Sequence, residues 1–183
     1  MLKICITGAG GNIASYLISS LVNGSVFPDK KNCSFLIRLK CRLSNLLNEI
    51  HYCRIRRLQL WKFLHLATFS TNSDETFKSC DLIIFLGGFP RKEGTERSEL
   101  LKINNEIFSK QAESLIYSNK NCKSVVIANP CNTNAKILLT KILKNKKLSE
   151  QIDKNSISFL SRLDHNRANY LYLWESFKNI IPR

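Results

Sequence analysis

The sequence has no C-x-x-C pair, and its seven cysteines (Cys5, Cys33, Cys41, Cys53, Cys80, Cys122 and Cys131) are scattered singly, some inside apolar runs such as KICIT and NCSFLI. That spacing argues against a zinc site or a disulfide framework and predicts reduced, mostly buried thiols. No apolar run reaches the roughly 18 residues of a membrane-spanning helix. The opening residues, MLKICITGAGGNIASYL, lack an apolar stretch of signal-peptide length before a small-residue cleavage site. A soluble, cytoplasmic protein with no membrane partner is expected. There is no internal repeat and no low-complexity linker. A chain of 183 residues has room for one well-cored domain and too little for two of ordinary size.

Acidic residues are also scarce, 14 against 28 lysines and arginines, which leaves a formal charge of +14. Its distribution matters more than its total. Residues 38–66 hold Arg38, Lys40, Arg42, Arg54, Arg56, Arg57 and Lys62 against the single acid Glu49. Such an island, with Tyr52 and Trp61 as stacking groups, is one form a nucleic-acid patch can take; no recognisable binding motif accompanies it, so nucleic acid is not the expected partner.

Along the chain, strand and helix patterns alternate. LKICIT is a short apolar run, GAGGNIA a glycine turn, and the stretch to about Leu21 an amphipathic helix. SFLIRL reads as a second strand, SDETFKSC as a short helix with Ser73 as N-cap, and DLIIFLGG as a fully apolar strand ending in glycines. SELLKINNEIFSKQAESLIYS places Leu100, Leu101, Ile103, Ile107, Phe108, Ala112 and Leu115 at helical spacing. KSVVIANP is a buried strand stopped by Pro130, and the lysine-rich KILKNKKLSEQIDKNS reads as a solvated loop with helix ends. Apolar strands alternating with helices predict an α/β fold, a doubly wound parallel sheet of the Rossmann type. The stretch from Lys40 to Leu66 fits this pattern worst.

Gly8, Gly11 and Ala14 form G-x-x-G-x-x-A between the first strand and the first helix. The spacing suits a dinucleotide: Gly8 allows a tight turn, Gly11 lets backbone approach a pyrophosphate, and Ala14 keeps helix close to strand, with the helix N-terminus toward the phosphates. An acid normally closes the second strand to hold the ribose hydroxyls, and here that end reads IRLKC. Arg38 and Lys40 have the opposite sign and would favour a 2′-phosphate or weaken binding. Further on, Arg91 and Arg97 stand in the loop GGFPRKEGTERSELL, a setting for a mobile lid that carries forked cations to carboxylates, or for a merely solvated basic loop. Asn129 stands at the end of the strand KSVVIANP, and helical geometry in RLDHNRA puts Asp164 and Arg167 on one face with His165 about 100° away.

Taken together, ITGAGGNIA, NGSVF, DETFKSCDLIIFLGGFPRKEGTERSELLKINNEIFSKQ, VIANPCNTN and RLDHNRA resemble the lactate/malate dehydrogenase family, in particular its cytosolic malate dehydrogenases. The resemblance implies a cofactor, NAD, held by Gly8, Ala9, Gly10, Gly11, Asn12, Ile13 and Ala14 at the pyrophosphate, with Asn104, Gln111 and Ile127, Ala128 and Asn129 lining it. NADP stays open because of Lys40. The substrate implied is a small dicarboxylate, malate or oxaloacetate. Arg91 would hold its distal carboxylate, Arg97 polarise the reacting carbonyl, Asn129 hydrogen-bond it and Arg167 clamp the proximal carboxylate. Asp164 would orient a histidine that exchanges a proton with the substrate oxygen. The family's dimer is expected, and no metal is implied.

Two departures from the family pattern are abrupt, at Lys40 to about Leu66 and after Ala168. The family's catalytic histidine follows in a W-G-N-H-S segment, which these residues do not contain. The expected organisation is therefore a dinucleotide-binding domain at 1–155, with 38–66 departing from the family, and the start of a truncated substrate domain at 156–183. Such a chain is expected to be a poor catalyst, because a general base contributes about 10²–10⁴-fold. Shifts of reading frame would explain both departures. CRIRRLQLW written in A/T-rich codons, TGT AGA ATT AGA AGA TTG CAA CTT TGG, reads VELEDCNF one base later, against M-E-L-E-D-C in the family. Without such shifts the chain would be a non-catalytic, decayed or fragmentary dinucleotide-binding protein.

Overall fold

The computed structural model describes residues 2–22, 35–40, 64–89, 93–94, 96–120 and 122–160. Six parallel strands form one sheet in the order β3-β2-β1-β4-β5-β6: β1 (Leu2–Thr7), β2 (Phe35–Lys40), β3 (Leu64–Ser70), β4 (Leu82–Phe85), β5 (Lys123–Val126) and β6 (Ile157–Phe159). This is the strand order of the doubly wound dinucleotide-binding fold, in which the chain starts at the centre and winds outward in both directions. The third strand, Leu64–Ser70, lies at the edge of the segment whose sequence pattern is least regular, and was not legible there. The sheet also continues past residue 155, since β6 pairs with β5 from Ser124↔Ile157 to Val126↔Phe159.

Side chains of β1 and β4 alternate between two buried faces, as fully covered parallel strands require. Cys5, Ile83 and Phe85 join one core cluster with Phe108, Ala112, Leu138 and Ile142. Ile4, Ile6 and Ile84 point the other way and are equally buried. Among the described residues five α-helices accompany the sheet: α1 (Asn12–Val22), α2 (Ser73–Phe77), α3 (Arg97–Ser114), α4 (Cys131–Lys144) and α5 (Lys146–Gln151). In α1, Ala14, Ile18 and Leu21 recur at i, i+4, i+7 and are buried, while Ile13 and Tyr16 face out.

Three expectations need correction. The cap of α2 is Asn72, one residue before Ser73; its side-chain oxygen accepts from the Asp74 N–H at 3.0 Å. The lysine-rich stretch is helical in α4 and α5 up to Gln151. Buried Leu148 and Ile152 anchor it, and Asn145 caps α5 by accepting from Lys147 N and Leu148 N. On α3 the fully buried apolar groups are Phe108, Ala112 and the following Leu115, and the buried face also takes in Asn104 and Gln111. Leu100, Leu101, Ile103 and Ile107 are only half-buried. Among the described residues no helix is long and apolar enough to cross a membrane.

Cys5, Cys80 and Cys122 are buried reduced thiols, Cys131 is half-buried, and Cys33, Cys41 and Cys53 lie outside the described residues. Burial pushes the Cys122 thiol up from 9.0 to about 12, against a smaller lowering by its hydrogen bond with Ser118. The unfolded thiol ionises near 9 and the folded one does not, so the associated stability is complete below pH 9 and is lost as pH rises from 9 toward 12. Thermal melts at pH 8, 9.5 and 11 should therefore show a smaller alkaline loss for Cys122→Ala than for the parent. Parallel losses would show that Cys122 does not contribute.

Candidate functional site

β1 ends at Thr7, and the chain turns at Gly8 with φ +67°. A side chain there would strike the neighbouring strand connection: a Cβ on Gly8 would come within 2.5 Å of the Gly87 Cα. The two glycines thus stand back to back at the carboxyl ends of β1 and β4. Gly87 N donates to Thr7 Oγ1 at 3.2 Å, and Gly11 N donates to Gly8 O at 3.0 Å, which closes the turn. Immediately beyond, α1 starts at Asn12 with no acidic residue in its first turn. Gly11, Asn12 and Ile13 are exposed, whereas Ala9 and Ala14 are buried beneath them. The first-turn N–H groups of a helix have no partner within it and carry its partial positive charge, so this end favours an anion.

Two adjoining cavities share Gly88. One, of about 700 Å³, runs from Gly8 and Gly87 to Thr71 and Asn72 and is bounded by Gln111 and Tyr117 on the helix side. The other, of about 540 Å³, is lined by Phe89, Arg97, Leu100, Ala128, Asn129 and Pro130. The two meet at Gly88, beyond the carboxyl end of β4, on the side where open α/β sheets bind ligands in a crevice.

The helix face along this crevice is polar. Asn104 Oδ1 accepts from Phe89 N at 2.9 Å, while its Nδ2 has no partner; Gln111 Oε1 is likewise buried and unpartnered among the described residues. Buried polar atoms left unpaired cost about 1–3 kcal/mol each, so their presence beside a cavity fits a polar ligand that satisfies them. At the far end, Ile127 N and Ala128 N both donate to Phe85 O at 2.9 Å, and Asn134 Nδ2 donates to Ala128 O at 2.9 Å. These bonds fix the segment that presents Asn129, which is exposed and followed by a cis peptide to Pro130.

Of the residues singled out from sequence, Gly8 and Gln111 line the first cavity and Arg97, Ala128 and Asn129 the second; Asn104 lies against Gly88, which borders both, while Ala9 to Ala14 and Ile127 line neither. Arg97 is the exposed first residue of α3 and shares the second cavity with Asn129. Arg91, Asp164 and Arg167 lie outside the described residues, as does His165. Sequence reasoning did not assign Gly87 and Gly88 to the site. The signal was the glycine pair closing an apolar strand, but its partner Gly8 is nearly eighty positions away, and only the pairing of β1 with β4 brings them together.

Residues 2–151 match the family profile described as lactate/malate dehydrogenase, NAD binding domain. The chain belongs to the lactate/malate dehydrogenase family. Among curated relatives of this family, it is 37% identical to the cytoplasmic malate dehydrogenase of Rattus norvegicus over 174 residues, covering 91% of this chain and 48% of the relative. The malate dehydrogenase structure from Naegleria fowleri superposes with a TM-score of 0.79 at 29% identity, over 91% of this chain and 48% of that one. A lactate dehydrogenase of Trichomonas vaginalis, solved with NADH and oxamate, gives a TM-score of 0.76 at 25% identity, over 93% and 49%. The chain thus spans about half the length of these family members, and the half it matches is the one that binds NAD.

Proposed function

We propose that this chain is the dinucleotide-binding unit of a malate dehydrogenase of the cytoplasmic type. The observation that carries the reading is the Gly8–Gly87 pair beneath the start of α1, joined through Gly88 to a cavity holding Arg97 and Asn129. The cofactor's demands fit the residues present: the turn leaves backbone room for a pyrophosphate, the helix end favours its charge, and Asn104 Nδ2 and Gln111 Oε1 offer one donor and one acceptor. These residues would hold NAD, which when bound would supply an oxidised nicotinamide as the hydride acceptor, the hydroxyl proton of malate passing to the proton-exchanging histidine.

The chain's own groups bind and orient. Arg97 polarises the substrate oxygen and Asn129 hydrogen-bonds it, both from the wall of the second cavity. Arg91 and Arg167 take the distal and proximal carboxylates, and Asp164 orients a proton-exchanging histidine. Within the 183 residues, the histidines are His51, His65 and His165, and none stands in the W-G-N-H-S setting that the reaction uses in this family.

Binding and turnover should consequently separate. Titration with NADH, followed by quenching of tryptophan emission or by calorimetry, should saturate, while the same 183-residue preparation should not oxidise malate at a measurable rate. Absence of dinucleotide binding at millimolar concentration would defeat the proposed site; malate oxidation would defeat the assignment of the proton-exchanging step to a residue outside these 183.

A further inference from the structure

On α4 the residues Ala135, Leu138 and Ile142 are buried in the core, and Asn134 is buried on the same helix with no exposure of its own. An amide is costly there: its Nδ2 is hydrogen-bonded, but its Oδ1 is buried with no partner among the described residues. A leucine has nearly the same shape and would carry no such cost, so core packing does not explain the residue. What the amide supplies is a donor. Nδ2 reaches back six positions to Ala128 O at 2.9 Å, and the backbone N–H of Asn134 donates to Pro130 O at 3.0 Å. One residue thus holds the carbonyls on either side of Asn129.

The constraint passes to Asn129 through covalent geometry. The Ala128–Asn129 peptide is a planar trans unit, so a fixed carbonyl also fixes the Asn129 N–H and the direction in which its Cα leaves the plane. Ala128 N is tied as well, to Phe85 O at 2.9 Å. We propose that Asn134 is a positioning residue: through Ala128 and Pro130 it aims the Asn129 amide at the oxygen on the substrate's reacting carbon, and so sets a preference for dicarboxylates that carry such an oxygen. The inference rests on the reading above in which Asn129 hydrogen-bonds that oxygen, and it adds the residue on which the bond depends. Asn134 does not itself line the second cavity, so its effect is confined to this route.

The test compares hydroxymalonate with malonate, two dicarboxylates that differ by the hydroxyl oxygen, titrated calorimetrically into the full 183-residue chain saturated with NAD. The parent should bind hydroxymalonate about five- to tenfold more tightly, the size of one hydrogen bond. Asn129→Ala should remove that ratio. Asn134→Leu, which keeps the side-chain shape, and Asn134→Ala should remove it too, with NAD and malonate bound as in the parent. The double variant Asn129→Ala/Asn134→Leu should lose no more of the ratio than either single change. By NMR of the unsubstituted chain, the Asn134 side-chain N–H pair should exchange with solvent about a hundredfold more slowly than that of exposed Asn132. Equal exchange rates, or Asn134 variants that keep the ratio while Asn129→Ala loses it, would overturn the proposal and leave the substrate reading intact. So would an equal loss of affinity for NAD, malonate and hydroxymalonate with a fall in Tm, the pattern of a merely structural residue. If the parent binds NAD but does not distinguish the two acids, the role given to Asn129 falls together with the proposal. If NAD itself fails to bind, the dinucleotide site falls as well.

Discussion

Gly8→Ala should be the most damaging glycine-to-alanine change among the described residues. Two costs add at this position. The backbone at φ +67° lies in the left-handed region, which costs a side-chain-bearing residue about 1–2 kcal/mol. The new Cβ would also sit 2.5 Å from Gly87 Cα and 2.6 Å from Gly87 N, backbone atoms that cannot swing aside as a side chain can. Relief requires β1 and β4 to part at their carboxyl ends, where Thr7 and Gly87 are hydrogen-bonded. A total of about 3–4 kcal/mol is expected, which for a domain of this size lowers Tm by roughly 10 °C. Gly94 provides the control. Its φ of +79° carries the same conformational cost, but a Cβ there meets nothing within 4 Å among the described residues. Gly94→Ala should lose only the first contribution, a few degrees. Equal Tm values for the two variants would show that contact between the glycines is not what makes Gly8 indispensable. Dinucleotide binding should fall more than tenfold in Gly8→Ala at temperatures where it remains folded, because the same displacement reshapes the turn beneath α1.

That contrast also marks what could be read from sequence. The turn itself, the order of strand and helix, and the apolar continuity of β1, β4 and β5 were legible because each is a local pattern whose period reports its burial. The polar members of α3 were harder. Asn104 and Gln111 interrupt an apolar stripe, and periodicity alone treats them as exceptions; their burial follows from α3 packing beside the connection after β4, where Asn104 Oδ1 accepts from Phe89 N and Gln111 lines the first cavity. The lysine-rich stretch misled for the opposite reason. Its charges suggested a loop, but two buried side chains, Leu148 and Ile152, hold α5 against the core while the lysines remain in solvent. Asn72 displaced Ser73 as cap of α2 because both residue types serve that role and only backbone geometry, β-region at Asn72, distinguishes them. Arg91 was singled out by its loop setting and Asp164 and Arg167 by their helical spacing, but their individual roles rest on resemblance.

Phe85→Ala should destabilise by about 3–5 kcal/mol, as large a loss as Gly8→Ala but by a different route. Phe85 closes β4, is fully buried, and stands between two other aromatic rings. Its ring meets Phe77 edge-on, with centroids 5.8 Å apart and planes at 87°, and lies 5.9 Å from Phe108 at 40°. Truncation opens a cavity beside both, and it removes the edge-to-face contact with Phe77, worth about 0.5–1.5 kcal/mol beyond the area buried. Phe159, 47% exposed at the end of β6, should tolerate the same change within about 0.5 kcal/mol. Phe85→Leu keeps most of the volume and should cost less than half as much as alanine. The consequence for function follows from the backbone of the same residue. Its carbonyl receives the N–H groups of Ile127 and Ala128, and the chain reaches Gly87 two positions later, so one buried ring supports both walls of the crevice. Phe85→Leu should therefore bind dinucleotide close to the parent at 20 °C and lose binding in parallel with unfolding as temperature rises. If its affinity dropped tenfold while its melting curve stayed with the parent's, the link between core and crevice would be through the geometry of β4 rather than through stability.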